Sequence, residues 1–474
     1  MLSIFKQKWL SELNNNWIFE YLITLTFVII GILGWFISYN FSIGILVLTI
    51  GLLLVFNDFK YIIPAGLCLL FSYNVGYTAN TFPVEIAIYA GIFILLLIGY
   101  TIYNFKKINL KKPKSYIGIA LLTISCIIPI FWNKAITEES RIMYVIYFTW
   151  VLYIVIYFIF GMNLSKHSLR IVIFTLSAIS VLVSFECGIK VLEMHRANPN
   201  ESIFNFIYSL GWGICNEAGI MLCFCMPFIF YEIIKTKNPI ISLICVLKMM
   251  ISLVGIFLTA SRATVFFGFI EFLILTILMI IFSKNKLTNI VFLLLFLGLG
   301  ILYVQLYFGI PRLFDDVKNI LYNNIFDGNG RERLYNNAIN LFNTNFLTRI
   351  LGSGIISEFE YRWSFGEYGS VFVVYHSTFF ETLVMGGIVG ICFLLVHFFE
   401  KYKQLWKKEL PFSLTMLVGY FLVDIYGMID NTYGMYYYMI PLVILMASLD
   451  NDIDTNIFEN EDSNELIFAE SKGE

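Results

Sequence analysis

Residues 241–282 read ISLICVLKMMISLVGIFLTASRATVFFGFIEFLILTILMIIF. Two apolar runs, each about the 20 residues a helix needs to cross a bilayer, are joined by the turn Thr259-Ala260-Ser261-Arg262-Ala263. The rest of the chain repeats the pattern. Of its 474 residues, 59% are hydrophobic and 14% charged, against about 45–50% and 25% in soluble domains; mean hydropathy is +0.80. A single globular core cannot hide that excess. The expected fold class is therefore an all-α polytopic membrane protein, not a soluble enzyme.

Hydropathy places about fourteen spans (twelve or thirteen remain open), with spans 1–11 in residues 1–308 and spans 12–14 in 377–449. Between them lies a large extracytoplasmic loop, 309–376, expected to contain amphipathic helices; an acidic cytoplasmic tail, 450–474, follows. Residues 1–20 are too polar for a cleavable signal peptide, so the first span is expected to act as an uncleaved anchor. All eight Cys lie in or beside apolar runs without the spacing of a zinc site or disulfide framework. No metal or other cofactor is expected, and no nucleic-acid partner.

Lysine sets the orientation, because basic residues are retained on the cytoplasmic side. With the N-terminus inside, every even-numbered connection is basic, from Lys60, through Lys166 and Arg170, to Lys401, Lys403, Lys407 and Lys408. Both termini are then cytoplasmic. The outer connections include a 190–216 loop carrying His195 and Arg196. Eight of the nine arginines fall outside: 141, 196, 262, 312, 331, 333, 349 and 362. Solubility alone would not prefer Arg to Lys, whereas the planar guanidinium suits bidentate contact with phosphate.

Several outer stretches carry possible chemistry. Ser261 and Arg262 sit at an outer turn, where an arginine either reaches an anionic headgroup or snorkels. In 328–346, Leu334, Ala338, Leu341, Phe342 and Phe346 share one helical face. The spacing predicts an amphipathic helix starting after Gly328-Asn329-Gly330 with Arg331 and Arg333 in its first turn. Cations there are unfavourable unless an anion binds or Glu332 supplies a counter-charge. Gly352 and Gly354 mark a tight loop returning toward the membrane. His376 lies where the chain re-enters the bilayer, with Glu381 a turn and a half further on. Imidazole is the usual base for activating a hydroxyl; Glu381 either tunes it or satisfies a neighbouring helix. Residues 359–365 alternate aromatic and polar, around Trp363, as a sugar-binding face or as interfacial belt residues. Lys248 and Glu271, at similar depth on consecutive helices, are expected to form an ion pair, which reduces a cost of about 2.5–3.5 kcal/mol per unpaired central charge; a proton relay is the alternative role.

From about 205 to 400 the arrangement resembles the O-antigen polymerase and O-antigen ligase superfamily (Wzy and WaaL types). The resemblance rests on the Asn216 segment GICNEAGIMLCFCMPF, the TASRA turn, GRERLYNNAINLF, LGSGIISEF and the His-led helix with its GGIVG. It implies a metal-independent glycosyltransferase of the bacterial cytoplasmic membrane that takes glycan from a polyprenyl-pyrophosphate-linked oligosaccharide. Arg262 and Arg331 would hold the pyrophosphate, and His376 would be the general base. Arg333, Ser261, Glu381, Asn216 and Trp363 are the expected substrate-binding residues. The family often has Asn after the His, where this chain has Ser377. The lipid bilayer, a flippase and a chain-length regulator are the partners it implies. The expected function is polymerisation of a surface or capsular polysaccharide. The alternatives are a ligase to a different acceptor, a lipid-linked oligosaccharide flippase or transporter, and a non-catalytic scaffold.

Overall fold

The computed structural model describes residues 9–73, 84–108, 113–132, 141–165, 167–199, 206–307, 331–354, 358–364, 367–373, 375–433, 435–451 and 457–458. A helix occupies each of the segments read as spans. The first seven are α1 (Trp17–Phe36), α2 (Ser42–Phe56), α3 (Ile62–Phe71), α4 (Val84–Tyr103), α5 (Ile117–Ile127), α6 (Arg141–Asn163) and α7 (Ser168–Ala197). Next come α8 (Cys215–Lys235), α9 (Pro239–Leu258), α10 (Arg262–Phe282) and α11 (Lys286–Tyr307). The last three are α14 (Thr378–Leu405), α15 (Leu410–Ile429) and α16 (Tyr436–Asn451). Between α11 and α14 lie α12 (Arg331–Phe342), α13 (Phe346–Leu351) and a hairpin of β1 (Glu358–Ser364) and β2 (Glu367–Val373). Among the described residues, eight helices are long and apolar enough to cross a membrane, and the protein is an integral membrane protein.

The hairpin adds strand to a fold expected to be wholly helical. Its antiparallel register runs from Glu358 opposite Val373 to Ser364 opposite Glu367. The aromatic-polar alternation of 359–365 is the period-2 pattern of a strand, and this stretch pairs accordingly.

The bundle is built around α8, which buries all but three of its 21 residues and packs against α7, α9, α10 and α15. Only Asn216 and Glu217 at one end and Lys235 at the other escape full burial. By contrast, α10 leaves Phe266, Phe269, Leu273 and Ile277 exposed, an apolar surface that lipid covers in a membrane protein. Local caps set the helix starts: Asn16 for α1, Asn238 with Pro239 for α9, and Ser261 for α10.

Several buried charges are paired, though not all as expected. Lys248 bonds Glu232 of α8 and, at 2.8 Å, Ser177 of α7; it does not pair with Glu271. The reason is geometric, because α9 packs against α7 and α8 as well as α10, and the Lys248 side chain faces α8 rather than α10. The Glu271 carboxylate is fully buried with no hydrogen-bond partner among the described residues. Lys401 belongs to α14 rather than to a loop, and there it bonds Asp424 at 2.6 Å. Lys60 and Arg170 are buried against Glu20, with the Lys60 contact at 2.8 Å.

Two further boundaries moved. Helix α7 continues through Ala197, so His195 and Arg196 stand on its last turn and not in a loop; a helix need not stop where its apolar stretch ends. Phe346 is not on the face of α12. That helix ends at Phe342, and Asn345 caps a new one, leaving Phe346 79% exposed. The expected start at Arg331 and the buried face of Leu334 and Ala338 are both observed.

The Lys248–Glu232 pair yields a test. Lys248→Met alone should lower stability by about 3–5 kcal/mol, because a buried carboxylate loses its partner. Adding Glu232→Gln should recover most of that loss, as read by thermal unfolding of the purified protein.

Candidate active site

The starts of four helices meet at the end of α15 and the turn joining it to α16. Cys215 opens α8, Arg262 opens α10, Arg331 opens α12 and Thr378 opens α14. Each helix start carries unused backbone N–H groups and the positive end of the helix dipole. At their centre is an acid, Asp430. Its Oδ1 accepts the Asn431 N–H at 2.8 Å and lies 3.3 Å from His376 Nδ1. Its Oδ2 accepts from Asn216 Nδ2 at 3.3 Å and lies 3.9 Å from Arg331 Nη2. The Asp430 N–H donates to the Tyr426 carbonyl at 3.0 Å, which ties the acid to the last turn of α15.

The backbone is bent to present these groups. Ala260 and His376 both have positive φ, 57° and 48°, a region costing roughly 1–2 kcal/mol for a residue with a Cβ. Each precedes a buried serine that caps a helix. Ser261 Oγ accepts the Thr264 N–H at 3.4 Å, and Ser377 Oγ accepts the Phe380 N–H at 3.4 Å. Serine and asparagine are comparable caps, so Ser377 supplies the same helix cap that an Asn at this position would. Ser261 Oγ also lies 3.3 Å from the Tyr426 hydroxyl, which joins the TASRA turn to the base of the Asp430 turn. Thr378 and Thr432 hydroxyls, 3.2 Å apart, join α14 to the same turn.

The expected site residues divide into two groups. His376, Arg331 and Asn216 converge on Asp430. Arg331 is 30% exposed and also donates to the Ile429 carbonyl. Arg262 stands at the same end of the bundle, partly buried and without an ion pair among the described residues. Glu381 is buried, but its carboxylate accepts the Tyr375 N–H at 3.2 Å; it braces the backbone beside His376 while Asp430 contacts the ring. Arg333 is exposed. Trp363 lies in β1 opposite Tyr368, and its side chain falls outside the described residues. Asp430 and Tyr426 were missed; the signal was an acid in the short join IDNTYG between the last two spans.

The loop helices are fastened to α14. Leu334 and Ala338 pack with Tyr375 and Val384. Tyr335 stacks on Phe380 at 4.4 Å and donates to the His376 carbonyl at 3.4 Å. Burial pushes the Tyr335 phenol up, against the pull of Arg331, and keeps it a donor. Further along, Gly387 interrupts α14 with φ 61°. That break frees carbonyls that the 352–354 loop satisfies: Ser353 N–H donates to Val384 O at 2.8 Å and Gly354 N–H to Met385 O at 3.1 Å. The approach is backbone to backbone, since a Cβ on Gly387 would lie 2.6 Å from Ile350.

The fold and site thus define an integral membrane protein in which His376, Arg331 and Asn216 cluster on Asp430 at one end of the bundle. Residues 247–395 match the family model described as O-antigen ligase, and over that stretch the chain carries the domain of the O-antigen ligase and polymerase superfamily. The match contains Arg262, Arg331 and His376 and ends before Asp430. No curated protein matches the chain.

Gly387→Ala should detach the α13 loop, because the new Cβ meets both a positive φ and the Ile350 backbone. Limited proteolysis should cut segment 331–354 faster in this variant than in the parent. Equal rates would show that the contact does not hold the loop.

Proposed function

We propose that the protein is a polymerase of a bacterial surface or capsular polysaccharide, transferring glycan from an undecaprenyl-pyrophosphate carrier to a sugar hydroxyl at the outer face of the cytoplasmic membrane. One observation carries the reading: a histidine oriented by an acid sits beside Arg331 where the helix starts converge. With a proton on Nδ1 facing Asp430, the Nε2 lone pair of His376 is free to accept the proton of the acceptor hydroxyl. The acceptor oxygen bonds to sugar C1 as the C1–O bond to pyrophosphate breaks, and the bonding pair leaves on the phosphate. Inversion at C1 follows from the direct displacement. Arg262 and Arg331 would neutralise that charge through fixed, bidentate donors, aided by the helix dipoles. Asn216 and Asp430 would hold the base and cation in register.

The lysine distribution supports cytoplasmic termini and an outward-facing pocket. This is the side on which a flippase would present its lipid-linked product, and a chain-length regulator is the other expected partner. A second reading, ligation of finished glycan to a different acceptor, is favoured by the description of the matching family; it would use the same residues.

Purified protein incubated with lipid-linked repeat units should give a ladder of products. Transfer only to a different acceptor would make it a ligase, and no transfer at all would defeat both readings. His376→Ala should abolish product at unchanged protein level, and Asp430→Asn should lower turnover at least about a hundredfold by misorienting the base. Arg262→Lys and Arg331→Lys should each lose about tenfold or more, because a point charge lacks the fork; full activity would leave these arginines as membrane anchors. A cysteine at 331 should label from outside intact cells.

A further inference from the structure

A buried ion pair lies below the pocket, and a residue of the Asp430 turn reaches into it. Lys401 of α14 is fully buried. Its ammonium donates to Asp424 Oδ1 at 2.6 Å, to Oδ2 at 2.7 Å and to the Tyr433 hydroxyl at 2.7 Å, which uses all three of its donors. Tyr433 in turn donates to Asp424 Oδ1 at 2.9 Å, and Tyr402 donates to Oδ2 at 2.5 Å. The cluster is neutral and closed.

We propose that Tyr433, locked between Lys401 and Asp424, is a positioning residue that sets Asp430 against His376; this rests on reading His376 as the base. Tyr433 stands three residues after Asp430 in the turn that follows α15. One end of that turn is tied to α15 by the Asp430 N–H bond to Tyr426; the Tyr433 hydroxyl ties the other. Between them, the Thr432 N–H donates to Thr378 Oγ1 at 3.2 Å. A fixed lower anchor matters because α14 is broken at Gly387. The half of α14 that follows His376 is therefore not rigidly continuous with the half that carries Lys401. An apolar cluster of the same volume could be as stable. It would not give the turn a single register, whereas a hydroxyl facing a saturated ammonium and a carboxylate has one place to sit.

The test uses full-length protein in nanodiscs with 15N-labelled histidine, the His376 resonances being assigned by their loss in His376→Gln. Tyr433→Phe keeps the ring and removes the anchor. It should move the His376 ring resonances to where Asp430→Asn puts them, and lower turnover about tenfold. Tyr420→Phe, in the same cluster but with a hydroxyl that bonds nothing among the described residues, should leave both unchanged. Should Tyr433→Phe fail to accumulate, the Lys401→Met/Asp424→Leu double variant replaces it, because it removes the anchor without stranding a charge. Unshifted His376 resonances in a folded variant overturn the proposal, whatever the turnover. A shifted resonance in a protein that transfers no glycan would keep the positioning role while the functional reading fails.

Discussion

The Asp430 carboxylate is the contact on which the site depends. It faces an imidazole, a guanidinium and a carboxamide delivered by different parts of the fold. Helix starts concentrate partial positive charge, and arginine at two of them adds more. Without a fixed acid these positive groups would repel one another. The acid draws the imidazole, the guanidinium and the carboxamide to one place, with the buried Glu381 bracing the backbone beside it. The same geometry leaves His376 Nε2 on the side away from Asp430. In the proposed reaction, structural and chemical roles would meet in one side chain.

The rest of the architecture can be understood as holding that acid and its partners in place. Helix α8, almost wholly buried, fixes Asn216. The TASRA turn grips Tyr426 through Ser261, one helical turn below Asp430. The loop helix α12 brings Arg331 in and ties Tyr335 to the His376 carbonyl. Its neighbour α13 docks where Gly387 opens α14 and leaves carbonyls without donors. A break that would weaken an isolated helix here becomes the attachment point for the large loop, because the freed carbonyls need partners in an apolar medium. Left-handed backbone at Ala260 and His376 marks the two places where the chain is bent so that a serine can cap a helix and its neighbour can face the pocket.

Much of this was legible along the chain. Apolar runs of bilayer length located the helices; the helical spacing of Leu334, Ala338 and Leu341 after Gly328-Asn329-Gly330 located α12, down to its start at Arg331. The His376, Arg331 and Arg262 assignments came from order and resemblance, and the first two both reach Asp430. What failed were pairings. Lys248 was matched to Glu271 because the two lie on consecutive helices, yet its partner is Glu232. Glu381 was the nearest acid to His376 in sequence, yet Asp430, 54 residues away, touches the ring.

Sequence by itself determined where helices run, because burial in a bilayer and helical period are local properties that a single stretch displays. It also determined which residue types were available for phosphate and proton chemistry. Only the tertiary structure decided which acid faces which base, since charge pairing depends on the lateral arrangement of helices. That arrangement is set by packing around α8 and by backbone breaks such as Gly387. Hydropathy is blind to both, because nearly every face of such a helix is apolar whether it meets lipid or protein.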